Sequence, residues 1–276
     1  NLRTINPGGS SWYSNSWSSR VAVTVNSSSV PEALTNFPVY VNLADQPAAF
    51  FSSVNASGTD IRVTTSDGVT EVPYELVNIN TVAKTGELYF KAPSLSTTTN
   101  TTFYVYYGNS GATAYASSST YGAQNVWTNG YVAVYHLNQD PTGSGAIMLD
   151  STVNARHGTR NGTAASGRLV AAKLGNGLDM VGTSGDYTID FPSPGIGATS
   201  SYTYSSWFKN GTISSGLNND GAGTYMLDRT TTTNDLVGLK VIGGVYAHQY
   251  RYGDGTGIGS VNGASVTSSA WQNVVW

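Results

Sequence analysis

Along the whole chain, short runs of alternating apolar and polar residues end in Gly, Pro, Asn or Ser, and a helical repeat is almost absent. Alternation with a period of two turns one side of a strand to a core and the other to water, so the pattern predicts an all-β protein. Strands are expected at 20–26, 37–43, 60–65, 70–77, 86–91 and 102–107. A second series is expected at 131–136, 178–180, 187–190, 202–209, 225–228, 236–242, 245–252 and 271–276. Ser66-Asp67-Gly68 between two of these runs is a hairpin turn, because Asp-Gly tolerates the positive φ a tight turn demands. Residues 47–54, with Phe50-Phe51, are expected as one short helical turn packed on the strands.

Between residues 110 and 125 the alternation stops and the chain turns to Ser, Ala, Thr and Gly, which bury too little apolar area to make an element. This places a linker at 110–125 and predicts two tandem β-sandwich or jelly-roll domains, at 17–109 and 126–276. Residues 1–16, with Pro7-Gly8-Gly9 among Ser, Trp and Tyr, lack alternation and are expected as a flexible tail or an arm that docks on a neighbour.

Composition narrows the partners. Charged residues make up 11% of the chain, with 13 Lys plus Arg against 16 Asp plus Glu, where a typical globular protein carries about a quarter. No run of like charge is present to neutralise a row of phosphates, so nucleic acid and anionic membrane surfaces are excluded as partners. Cysteine is absent, which removes disulfides, thiolate metal sites and cysteine nucleophiles together. No apolar run approaches the roughly 20 residues that span a bilayer. The surface is rich in hydroxyls, amides and aromatic rings, a composition that points to an extracellular or cell-surface location.

Residues 17–109 resemble a secreted bacterial and archaeal domain of unknown function. The resemblance rests on Ser19-Arg20-Val21-Ala22-Val23-Thr24, Phe37-Pro38-Val39-Tyr40-Val41, Asp60-Ile61-Arg62-Val63, Val72-Pro73-Tyr74-Glu75 and the closing Phe103-Tyr104-Val105-Tyr106-Tyr107-Gly108-Asn109. Residues 126–276 resemble a laminin-G-like, concanavalin-A-like jelly roll, which often follows that domain. Val126-Trp127, the run from Tyr131 to Leu137, the loop Leu149 to Thr159, Lys173-Leu174-Gly175-Asn176-Gly177-Leu178 and Tyr204-Ser205-Ser206-Trp207-Phe208 follow in the order such a domain shows. Trp271-Gln272-Asn273-Val274-Val275-Trp276 resembles one of its middle strands, so the jelly roll is expected to be partial, with an open sheet edge.

The chemistry on offer is sparse. All four glutamates, Glu32, Glu71, Glu75 and Glu87, fall in the first half, no Gly-x-Ser-x-Gly elbow occurs, and none of the three histidines sits in a metal-pair spacing. His136, on an expected strand, reads as a satisfied core or boundary residue. The loop from Asp150 to His157 gathers hard oxygen donors, and the resemblance implies calcium near such loops, with Asp150 and Asn154 as ligands. The competing reading is a turn that Asp150 caps while Asn154 takes a left-handed conformation. Tyr246, His248, Tyr250 and Tyr252 occupy alternate positions of one expected strand and form the candidate ligand-binding row, the alternative being that these rings fill a core.

The expectation is therefore a non-catalytic extracellular protein that binds a glycan or another protein, with calcium as a structural cofactor. Two other readings stay open: a structural subunit of an extracellular filament, self-associating through the N-terminal arm and the open C-terminal sheet edge, and an accessory module of a polysaccharide-degrading enzyme.

Overall fold

The computed structural model describes residues 11–143, 145–180, 187–192, 201–209, 225–229, 235–242, 245–253, 258–265 and 270–275; within 225–265 it describes strands and their registers. The protein is all-β, with one short α-helix among the described residues. It divides into two compact units, one of residues 1–179 with Tyr187–Pro192, the other of Met180–Asp186 with Ser193–Trp276.

The first unit is built on a sandwich of seven strands: β1 (Ser19–Val25), β2 (Leu34–Asn42), β3 (Arg62–Thr65), β4 (Glu71–Val72), β5 (Tyr74–Asn80), β6 (Thr85–Leu95) and β7 (Thr101–Tyr107). They form two antiparallel sheets, ordered β1-β7-β3-β4 and β2-β6-β5. The expected single strand at 70–77 is two, because Pro73 cannot donate to a ladder, and the chain passes there from one sheet to the other. Alternate residues of β3, β6 and β7 supply the core: Val63, Leu88, Phe90, Phe103 and Val105 are all buried. Phe90 and Phe103, from different sheets, meet with ring centroids 4.6 Å apart. The helix α1 (Ala48–Ser53) closes one end by inserting Phe50, whose ring lies 4.8 Å from Tyr107. The expected Asp-Gly turn is present: Gly68 has φ +77°, and the Asp67 carboxylate accepts from the Val69 and Thr70 amides and the Thr65 hydroxyl.

Residues 11–17 lie on the outer face of the first sheet of their own sandwich. The Tyr13 amide donates to the Tyr106 hydroxyl at 3.2 Å, and the Trp17 indole N–H donates to the Asp60 carbonyl at 2.6 Å. Arg20 bonds the Ser11 carbonyl and stacks over Trp12 and Tyr104 at 4.9 and 4.0 Å. The described part of the expected arm is thus anchored within the molecule, because its aromatic rings cover a sheet face that would otherwise expose Tyr106 and Arg62.

The stretch at 110–125 has no strand, and it is bonded to the sandwich throughout. The Tyr74 amide donates to the Tyr121 carbonyl, Arg62 donates to the Thr113 carbonyl at 2.8 Å, and Tyr115 donates to Glu71 at 3.1 Å. Beyond it, residues 126–157 pack on the outer face of the second sheet, and the short strands β8 (Ile147–Met148), β9 (Gly158–Asn161), β10 (Leu169–Ala171), β11 (Asn176–Leu178) and β12 (Thr188–Asp190) complete the unit. These pair as β12-β9-β8 and β10-β11. The division between units consequently falls near residue 180. Residues 131–136, expected as a strand, make a single bridge, Tyr135 with Asp150.

The second unit pairs β13 (Ser205–Lys209) with β18 (Trp271–Val275). Separately, β14 (Tyr225–Arg229), β15 (Asp235–Ile242), β16 (Val245–Gly253) and β17 (Ile258–Ser265) form an antiparallel meander in chain order. The sequence pattern did not predict β17, whose Gly, Ser and Asn residues carry no apolar alternation.

Candidate functional site

The densest cluster of chemistry lies on the outer face of the second sheet. Strand alternation that sends Val39, Val41, Leu88 and Phe90 inward sends Tyr40, Glu87, Tyr89 and Glu75 outward, and the register sets Tyr40 and Glu75 on either side of Tyr89. Residues 126–157 close over this face. Glu75 Oε2 accepts from Trp127 Nε1 at 2.6 Å and contacts His136 Nε2 at 3.1 Å, while its Oε1 accepts from Ser151 Oγ at 2.6 Å. Both members of the His136–Glu75 pair have side chains only 11% exposed. Tyr89 stacks against Trp127 and His136, with centroids 5.2 and 5.1 Å away. Three groups distant in sequence thus converge on one carboxylate.

Glu87 lies beside this cluster and is buried. Its Oε1 accepts from Asn78 Nδ2 at 2.5 Å, and the β10–β11 turn closes on it so tightly that a Cβ on Gly175 would fall 1.6 Å from that oxygen. Burial pushes the Glu87 carboxyl above the usual glutamate range, and the Asn78 bond opposes the shift without cancelling it. Because the folded state holds the proton more tightly than the unfolded chain, this contribution to stability is fully present below the ordinary glutamate pKa and is lost as pH rises through the folded value. Glu87→Gln is therefore expected to melt higher than the native protein at pH 8 and at nearly the same temperature near pH 4.5. Thermal melts across that range check it, and a variant equally shifted at both ends would remove the burial argument.

A second polar cluster lies on the opposite side of the sandwich. Arg62 is buried; its Nη1 donates to the Thr59 carbonyl and the Tyr74 hydroxyl at 3.1 and 3.0 Å, and its Nε lies 3.7 Å from Glu71 Oε1. Glu71 Oε2 accepts from Tyr13 and Tyr115, and both members of the ion pair are 5% exposed. Burial raises the Glu71 carboxyl, against the pull of the two tyrosine hydroxyls and Arg62. Asp60 is fully buried; one carboxylate oxygen accepts from the Asn55 amide and the other from the amides of Gly108 and Asn109 at 2.7 and 3.2 Å. The motif residues Asp60, Arg62, Tyr74 and Gly108-Asn109, scattered in sequence, belong to one hydrogen-bonded knot.

Asp150 is buried, and both its oxygens are engaged. Oδ1 accepts from the amides of Val134 and Thr152, and Oδ2 from the Arg156 amide and the Thr152 hydroxyl, all at 2.9–3.0 Å. The Asn154 amide side chain donates to the Val132 carbonyl at 2.9 Å. Four donors organise the loop around Asp150, as a capping carboxylate does, and the left-handed residue is Ala155 at φ +48°, in place of Asn154. Among the described residues, no group of three or more His, Asp or Glu is arranged to hold a metal ion.

Tyr246, His248, Tyr250 and Tyr252 lie on β16, and their side chains are outside the described residues. Their register sets them opposite Val241, Leu239 and Val237 of β15 and, for Tyr250 and Tyr252, opposite Val261 and Gly259 of β17. Directly opposed positions share a sheet face, so the four residues occupy one face of this meander.

The Glu75 cluster was not visible as a site in sequence. Its one signal was a lone glutamate closing the run Val72-Pro73-Tyr74-Glu75, and nothing linked it to His136 or Ser151.

Fold and clusters together define an all-β module whose buried ionisable groups tie chain segments to one another. Residues 57–124 match the family model described as a domain of unknown function, DUF2341. The match covers Asp60, Arg62, Glu71, Glu75, Glu87 and Tyr115, the residues that anchor both clusters. No curated protein and no solved structure matches the chain.

Proposed function

We propose that the protein is a non-catalytic extracellular recognition module, in which a rigid sandwich carries a second β unit that binds a glycan or a protein ligand. The observation behind this reading is where the Glu75 bonds go. Ser151 and His136 both contact the carboxylate, on different oxygens, so the hydroxyl that could serve as nucleophile points at the acid and not at the imidazole. A serine nucleophile activated by histidine needs its hydroxyl on the imidazole. The same bonds instead fix residues 126–157 to the sandwich. No helix among the described residues is long and apolar enough to cross a membrane.

The laminin-G-like reading of residues 126–276 belongs to this proposal and rests on the ordered series of motifs, of which Trp127, His136 and Asp150 fold within the first unit. Binding to a glycan array tests it. The native protein is expected to retain a defined set of glycans, and Tyr250→Ala to lower that retention at least tenfold with an unchanged circular dichroism spectrum. An array on which the native protein retains nothing would end the glycan reading. Unchanged retention by Tyr250→Ala would remove the tyrosine row as the binding site.

A further inference from the structure

The sandwich has four sheet edges, and three are guarded. β2 carries Pro38 in its middle, and Asn36 at φ +51° interrupts its ladder with β6. β4 is two residues long and runs into Pro73. β5 has its Tyr74 amide bonded to Tyr121, its Val77 carbonyl bonded to the Asn138 side chain, and a register shift between Leu76 and Asn78. Prolines, bulges, short strands and covering loops are the devices that keep an edge from recruiting another strand.

Among the described residues β1 has none of them. It pairs with β7 without interruption over seven residues, from Ser19 opposite Tyr107 to Val25 opposite Thr101, and stands at the end of its sheet. No proline or glycine breaks it, and no charge lies between Val21 and Val25; its one charged residue, Arg20, is held over Trp12 and Tyr104. Its inward valines, Val21, Val23 and Val25, pack against the core yet remain only partly buried, since among the described residues no strand lies beyond them.

We propose that this edge pairs with the same edge of a second copy, antiparallel and centred on Val23. The run Val21-Ala22-Val23-Thr24-Val25 reads alike in both directions. About that centre Val23 meets Val23, Val21 meets Val25, and Ala22 meets Thr24, so apolar residues lie together on the core side and small ones on the outer side. Arg20 of one copy stands opposite Asn26 of the other, so no like charges oppose. The contact is isologous and closes as a two-fold dimer, joining two four-stranded sheets into one of eight. A single pair of strands buries an area at the low end of specific interfaces, below about 1,200 Å², so the dimer is weak and reversible.

Sedimentation of the full chain over a concentration series from about 10 μM to 1 mM tests the pairing, a span of roughly 3 kcal/mol in association free energy. Ala22 and Thr24 are both exposed, so charges placed there spare the core. Ala22→Lys with Thr24→Lys sets lysine against lysine twice across the dimer axis and is expected to weaken association at least tenfold. Ala22→Lys with Thr24→Glu sets lysine against glutamate and is expected to restore it to within about threefold of the native value. Native protein that stays monomeric throughout, or a double-lysine variant that associates as the native protein does, overturns the proposal. Circular dichroism of both variants confirms that the comparison is made on folded protein.

Discussion

Arg62→Met is expected to cost about 3–5 kcal/mol of stability, the largest loss of any single change considered, and to lower the melting temperature of the first unit by on the order of 10 °C. Methionine fills much of the volume, so the loss is electrostatic. Glu71 then remains 5% exposed with no cation facing it, and the carbonyls of Thr59 and Thr113 and the Tyr74 hydroxyl lose their donor. A whole domain holds only about 5–15 kcal/mol, so the variant is close to unfolding at physiological temperature. Adding Glu71→Gln removes the stranded charge and keeps an acceptor for Tyr13 and Tyr115, and is expected to recover a substantial part of the loss. Chemical denaturation of the native, single and double variants checks both steps. A double variant no more stable than Arg62→Met would show that the carbonyl bonds, and not the ion pair, carry the effect.

Glu75→Ala is expected to release residues 126–157 from the sandwich, at a cost of about 2–4 kcal/mol, because the Trp127 indole N–H, the Ser151 hydroxyl and His136 all lose their partner at once. Glu75→Gln keeps one acceptor oxygen and the side-chain shape, so it should fall between alanine and the native protein. Hydrogen exchange reads this directly: amides in 126–157 should lose protection in Glu75→Ala while those of β7 and β3 keep theirs. Equal loss across both regions would mean that the sandwich and residues 126–157 unfold together, and unchanged protection would mean that Trp127 is held by its ring contacts alone.

The strands that alternate over a half-buried face could be read from sequence, as could the Asp67-Gly68 turn and the helical turn at Phe50-Phe51. Their signals are local: a period of two, a residue pair that accepts positive φ, a short apolar run after Pro47. What could not be read depends on contacts between distant residues. Tyr131 to His136 alternates like a strand, yet its backbone makes one bridge, and its side chains go to separate partners: His136 to Glu75, Tyr135 to the Arg156 carbonyl and Tyr131 to the Trp127 ring. The stretch from Gly108 to Asn125 carries no apolar pattern and reads as a linker, while Asp60, Arg62 and Tyr74 hold its backbone in place. For His136, reading it as a satisfied boundary residue describes its place on the sheet, and only the fold supplies Glu75 as its partner.

The pairing of β1 with β7 bears on how the sandwich carries load. Ser19, where the chain enters, stands directly opposite Tyr107, where it leaves, so tension applied through the flanking chain pulls on the same end of that ladder and opens it one pair at a time. A ladder opened in this way resists far less than one sheared along its length. Ahead of the first pair, however, stand the bonds from Gly108 and Asn109 to Asp60 and from Ser18 to Gly108, with Thr113 held by Arg62 just beyond. Under such tension the buried Asp60 and Arg62, together with the exposed Ser18, take the strain before the strands do.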